Sequence, residues 1–161
     1  IKEFKKEVKK LAFDLKLKNN IFVHRDFHVS NLMWFDNQIG VIDSQDAIIG
    51  NRAYDLASLI DDVRFKTSMT LKNRIYELYL NDQKKLNKEQ FKNDFEILSI
   101  LRNLKIIGIF SRLSTRDNKN YYLKLIPHAW KLIGIRINRN KKFQNLKKIL
   151  IKNFKNKLYE N

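Results

Sequence analysis

The feature that most limits what this chain can fold into is the stretch IFVHRDFHVSNLMWFDNQIGVID, residues 21–43. Its apolar runs are each interrupted by polar residues after a few positions, which is too short for helices and suits strands. IFVH reads as a short buried strand and residues 25–30 as a loop. NLMWF and IGVID read as the two strands of a hairpin connected through Asp36, Asn37 and Gln38. His24, Arg25 and Asp26 therefore leave the first strand, Asn31 opens the second, and Asp43 closes the third.

The rest of the chain has helical spacing. Residues 2–17 place Phe4, Val8, Leu11 and Leu15 on one face with lysines opposite, and the Lys-Asn-Asn at 18–20 stops that helix. After a polar loop at 44–52, residues 53–63 turn helical with Leu56, Leu59, Ile60 and Val63 on one side. Further helices are predicted over 71–80 and over 88–113, the second with Phe91, Phe95, Leu98, Leu101, Leu104 and Ile107 inward. Residues 114–120 read as a break. Pro127 should start or kink a helix within 121–137, and the last segment, 143–158, is amphipathic and basic. Trp34 and Trp130 read as core or groove-lining aromatics. No repeat or linker divides the chain, so one domain over 1–161 is expected, with an α+β, mainly helical fold.

Two carboxylates and a carboxamide at strand ends match what phosphoryl transfer demands, which is positioning and charge neutralisation more than covalent chemistry. One carboxylate can orient an acceptor hydroxyl and take its proton. A second carboxylate with an amide oxygen suits Mg2+, a hard ion that prefers oxygen ligands and retains water. An isolated loop Asp is ordinarily a turn former; the spacing of Asp26, Asn31 and Asp43 sets these apart.

HRDFHVSN resembles the kinase catalytic-loop pattern H-R-D-L-x-x-x-N, with Phe27 at the Leu position. Asp43 is followed by SQDA rather than Phe-Gly, and no Ala-Pro-Glu motif appears. That departure separates the chain from protein kinases and points to the aminoglycoside phosphotransferase and choline kinase superfamily. Together with GVIDSQDAIIGNRAYDLASLIDD and LRNLKIIGIFSRLSTRDNKNYYLKLIPHAW, the motif resembles the bacterial N-acetylmuramate/N-acetylglucosamine kinases of cell-wall (peptidoglycan) recycling, over residues 20–135.

The resemblance implies the C-terminal lobe of a protein-kinase-like fold, with a short catalytic β-hairpin. It implies ATP and Mg2+ as cofactors and transfer of the γ-phosphate to the anomeric hydroxyl of a small amino sugar. Asp26 would be the catalytic base, Asn31 and Asp43 the Mg2+ ligands, and Asp55 a buried acid bonded to the catalytic loop, which His24 and Arg25 also support. His28, Gln45, Asp46 and Arg112 are candidates for substrate contact, in a groove between the loop and the helices after residue 68. Arg112 and Arg116 flank a helix end and read first as solvated there, with contact to an anion as the alternative. Two alternatives stay open: another kinase of the aminoglycoside or choline type, and a non-catalytic module whose basic tail binds a polyanion.

The formal net charge is +16, and twelve of the 33 basic residues lie from Lys119 onward beside a single acid. Abundant Lys, Asn and Ile together fit a coding bias toward A and T, so nucleic acid is not an expected partner. The absence of cysteine excludes disulfides and zinc-thiolate sites. No apolar run reaches the roughly 18 residues of a membrane span and no signal-peptide pattern opens the chain; a cytoplasmic location without a membrane partner is expected. Gly40, Gly50, Gly108 and Gly134 form no phosphate loop, and a helix rather than a sheet precedes the catalytic loop. The ATP-gripping N-terminal lobe is therefore expected to be absent from these residues. Assayed with N-acetylmuramate, Mg2+ and ATP, the 161 residues alone should show negligible turnover, and a version extended upstream should be active. Equal rates would sink that expectation.

Overall fold

Short strands need partners, and the four strands among the described residues find them in two antiparallel pairs. The computed structural model describes residues 1–154, 157 and 158. Strand β1 (Asn19–Val23) pairs with β4 (Ile48–Asn51), and β2 (Leu32–Phe35) with β3 (Gln38–Val41). The helices are α1 (Lys2–Phe13), α2 (Ala53–Ile60), α3 (Met69–Asp82), α4 (Lys88–Asp117), α5 (Ile126–Ile137) and α6 (Gln144–Phe154). The fold is thus mainly helical with small antiparallel sheets.

The chain forms two compact units. One comprises residues 16–98 and contains all four strands, α2, α3 and the start of α4. Its core joins Ala53, Leu56, Ala57 and Ile60 of α2 to Leu80 of α3 and to Phe91 and Phe95 of α4. Tyr76 stands edge-on to Phe95 at 4.9 Å between ring centroids, and Tyr79 stacks on Phe91 at 5.2 Å, a geometry that adds to simple burial. The other unit comprises residues 1–15 and 99–161, of which the described residues bury Leu11, Phe110, Trp130, Ile133, Ile137, Phe143, Leu146 and Leu150.

Carboxylates define both ends of β1. Asp94 of α4 is fully buried and accepts from the backbone amides of Lys16 (2.8 Å) and Leu17 (2.9 Å). It also accepts from the side-chain amides of Asn51 (2.6 Å) and Asn93 (2.9 Å). Four donors compensate the desolvation that a buried carboxylate suffers. They explain why α1 stops at Phe13, short of the predicted residue 17: the amides of 16 and 17 are engaged elsewhere. Opposite β1, Gly50 lies close to its neighbour: a Cβ there would lie 3.2 Å from Cγ2 of Val23, which would have to shift slightly to admit it.

Other boundaries also differ from the sequence reading. The loop expected over 44–52 contains β4, whose hydrophobic residues Ile48 and Ile49 lack the length to announce a strand. The hairpin turn is Asp36-Asn37 alone, both at positive φ (47° and 56°) as a type I′ turn needs, while Gln38 pairs with Phe35. Helix α4 continues through the predicted break to Asp117 and yields at Asn118, where φ is 53°. Its fully buried residues include Ile97, Ile100, Ile106 and Phe110, while Leu101, Leu104 and Ile107 are only half-buried. The simple stripe rule assumes one neighbour, and a 30-residue helix that serves two units is covered on more than one side. Pro127 starts α5 without kinking it. The final predicted helix ends at Phe154; residues 155, 156 and 159–161 of the basic tail lie outside the described residues.

Replacing Asp94 by Ala should lower the free energy of unfolding by about 3 kcal/mol, because four donors lose their acceptor in the interior. Urea denaturation followed by circular dichroism measures this, and a loss below about 1 kcal/mol would show that the cluster is replaceable.

Candidate active site

The polar residues of 21–43 are gathered by backbone contacts within the 16–98 unit. The carboxylate of Asp55, from the first turn of α2, accepts from the amides of His24 (2.7 Å) and Arg25 (3.0 Å). Arg25 has φ of 72°, a left-handed conformation uncommon for a non-glycine residue, and the Asp55 contact helps hold it there. Asp55 is half-buried, where full burial was expected, because its helix turn lies at the edge of the core.

His24 is buried, and its Nε2 donates to the carbonyl of Ile42 at 2.9 Å, so the loop after β1 is tied to the end of the hairpin. The Arg25 guanidinium donates to the carbonyl of Asp46 at 3.1 Å, securing the turn at 44–47. Both side chains thus do structural work around the loop.

Asp26 is half-buried, and its own carbonyl accepts from Nδ2 of Asn31 at 2.9 Å. That bond directs the remaining atom of the amide, Oδ1, to serve as acceptor or ligand. The carbonyl of Asn31 in turn accepts from the amide of Ile42 at 3.1 Å, which sets Asn31 beside the residue preceding Asp43. Asp43 is exposed and has φ of 71°, a second left-handed residue at this site. One of its carboxylate oxygens, Oδ1, accepts from Nε2 of Gln45 at 2.8 Å. Two hydrogen bonds to backbone carbonyls, from Asn31 to Asp26 and from Ile42 to Asn31, therefore tie together the segments that carry the three residues singled out in the sequence.

Among the described residues no group of three His, Cys, Asp or Glu side chains is disposed to hold a metal. An asparagine oxygen with one aspartate suits Mg2+ nonetheless, since that ion is commonly held by one or two protein oxygens and completes its shell with water and phosphate. The donor chemistry fits.

The four candidates for substrate contact are placed differently from one another. Gln45 and Asp46 are exposed on the turn after Asp43. His28 is buried and begins the 3-10 turn at Val29–Asn31, which withdraws its ring from solvent. Arg112 is exposed on the part of α4 that belongs to the other unit, and Arg116 is engaged in a bidentate contact with Asp117 at 2.7 and 2.8 Å. Trp34 is 70% exposed rather than buried or groove-lining, whereas Trp130 is in the core.

Two contributors escape sequence reasoning. Arg52 and Tyr79 line a cavity of about 430 Å3 with Phe27, Asp55, Leu59 and Ile75, between the catalytic-loop segment and α3. Burial pushes the Tyr79 phenol up; nearby Arg52 opposes this, and Asp55 and Asp82 reinforce it. The walls are mainly apolar, so sugar hydroxyls would find few partners there beyond Arg52, Asp55 and Tyr79. No local pattern marks either residue; Arg52 beside the Tyr-Asp-Leu motif was the nearest signal.

The comparisons with known proteins agree in direction. The model of the phosphotransferase enzyme family matches residues 1–88. An N-acetylmuramate/N-acetylglucosamine kinase of Caulobacter vibrioides is 33% identical over 120 residues, covering 71% of this chain and 33% of that protein. The kinase of the same name from Neisseria meningitidis serogroup B is 35% identical over 116 residues, covering 66% and 34%. That from Pseudomonas aeruginosa is 30% identical over 139 residues, covering 81% and 40%. The chain thus spans about a third of the length of the curated relatives it matches.

Substituting Asp55 by Ala should accelerate hydrogen exchange at the His24 and Arg25 amides about 30-fold, the equivalent of about 2 kcal/mol of lost local protection. Unchanged protection in that variant would show that another contact holds the loop.

Proposed function

The chain belongs to the phosphotransferase enzyme family, and we propose on that premise that it is the C-terminal lobe of an ATP-dependent sugar kinase. The acceptor is the anomeric hydroxyl of N-acetylmuramate or N-acetylglucosamine, and the product is the sugar 1-phosphate. The observation that carries this reading is the pair of hydrogen bonds tying together the segments that carry Asp26, Asn31 and Asp43, set in a family whose chemistry needs those groups. The printed names of the relatives support the choice of sugar.

Asp26 accepts a hydrogen bond from the acceptor hydroxyl, orients it toward the γ-phosphorus of ATP and takes its proton as the new oxygen–phosphorus bond forms and the bond to the departing ADP breaks. A hemiacetal hydroxyl is more acidic than an ordinary alcohol, so a plain carboxylate serves as base. Asn31, through Oδ1, and Asp43 would hold Mg2+, which would supply positive charge to offset that on the phosphate oxygens. Gln45 fixes the rotamer of Asp43, and Asp55 fixes the backbone from which Asp26 projects. Gln45 and Asp46, both exposed, are the side chains offered to the sugar.

A further lobe of the same protein would grip the nucleotide. Supporting this, the hairpin exposes Met33, Trp34, Phe35 and Ile39, and β1 with β4 exposes Phe22, Ile48 and Ile49. An apolar surface of this kind is usually covered by a partner or a ligand. Cell-wall recycling is the setting that the sugar class suggests.

In the full-length protein, Asp26→Asn should reduce kcat by about 100- to 10,000-fold with little change in KM for the sugar. Activity should fall on N-acetylmuramate and N-acetylglucosamine alike. A variant that retains more than a tenth of wild-type kcat would remove Asp26 from the mechanism; turnover confined to an aminoglycoside or choline would replace the substrate.

A further inference from the structure

A cavity of about 640 Å3 lies within the 16–98 unit, a volume in the range of small-molecule sites. Its lining gathers Lys16, Lys18, Arg52, Lys84 and Lys85 around a single carboxylate, Asp82. None of Asp26, Asn31 or Asp43 contributes to it. The cations come from three separate segments: the residues entering β1, the start of α2, and the connection between α3 and α4. Asp82 is itself shared, since its Oδ2 accepts from Nε2 of Gln83 at 3.0 Å, and Gln83 meets the Arg52 guanidinium at 3.4 Å. Asn87, which caps α4 by accepting from the Gln90 amide at 3.0 Å, adds the positive end of a 30-residue helix to the same wall.

Surface lysines normally spread apart, because like charges repel and each ammonium gains most from its own hydration. An anion inside this concavity would meet cations supplied by three segments at once. The backbone at Lys16 is fixed by Asp94, and the turn carrying Lys84 and Lys85 is closed by the Leu86 amide, which donates to the carbonyl of Gln83 at 3.0 Å. The backbone frame of the concavity is therefore set, and the exposed lysine side chains are left to order on a ligand.

We propose that this cavity binds a small polyanion carrying two or more linked phosphoryl groups, at a site separate from the phosphotransfer residues. Two linked phosphoryl groups extend further than one, so they can engage cations from more than one of the three segments, whereas a single phosphate, though itself multiply charged, has the reach of one group. Arg52 is common to this cavity and to the smaller one lined by Asp55 and Phe27, so occupancy would be felt by the helix that holds the catalytic-loop backbone.

The test is isothermal titration of the full-length protein with pyrophosphate and, separately, orthophosphate, in magnesium-free buffer. Pyrophosphate should bind and orthophosphate bind at least about tenfold more weakly. The double variant Lys84→Ala/Lys85→Ala, at two exposed positions whose loss leaves the core intact, should weaken pyrophosphate at least about tenfold. Asp43→Asn, and Lys148→Ala/Lys152→Ala on α6, should leave it within about twofold. The inference is overturned by any of four results: no binding tighter than about 1 mM, equal binding of the two anions, an equal loss in the α6 pair, or indifference to the Lys84/Lys85 change. It stands or falls independently of the sugar-kinase reading, which is tested by turnover.

Discussion

Strand β1 is pinned at both ends by the same device. At its entrance the carboxylate of Asp94 takes the amides of two consecutive residues, 16 and 17; at its exit Asp55 takes those of 24 and 25. A carboxylate that accepts from two successive N–H groups fixes the direction of the chain as well as its position, and charge-assisted bonds are the stronger kind. Because these four donors are backbone amides, the two ends of the segment 16–25 are fixed by main-chain contacts, to which the side chains of Leu17, His24 and Arg25 add their own. The helices α2 and α4 that supply these acids are themselves joined by the Phe91–Phe95 core. The site is therefore built on packed helices even though its residues lie on loops.

Left-handed geometry at Arg25 and Asp43 is the local consequence. Each costs on the order of 1 kcal/mol or more, and each sits where the chain must turn sharply to present a neighbouring acid or its own side chain. The hydrogen bonds of His24 to Ile42 and of Asn31 to Asp26 oppose that strain. Such strain, maintained by surrounding contacts, accords with a site preorganised for chemistry.

The exposed apolar residues of the hairpin and the cationic cavity are unlike features with one lesson. Each has chemistry that suits a partner: apolar for the hairpin, multiply anionic for the cavity. The high net charge is thus partly localised, although much of it lies from Lys119 onward, away from this cavity in sequence.

Much was legible from residues alone. The hairpin, Asn31 and Asp43 flanking it, Asp26 in the loop after β1, and all the main helices follow from periodicity and motif, because side-chain alternation and helix stripes are written locally. The pairing of β1 with β4, the early stop of α1, and the gathering of Arg52, Tyr79 and Asp55 about one cavity were decided by the tertiary structure. Asp94 shows why: in sequence it is one acid among many on an amphipathic helix, and its role exists only once four donors from distant segments converge on it in a dry interior. Local pattern sets which elements form; the satisfaction of buried polar groups, which depends on every neighbour at once, sets where they end and what they hold.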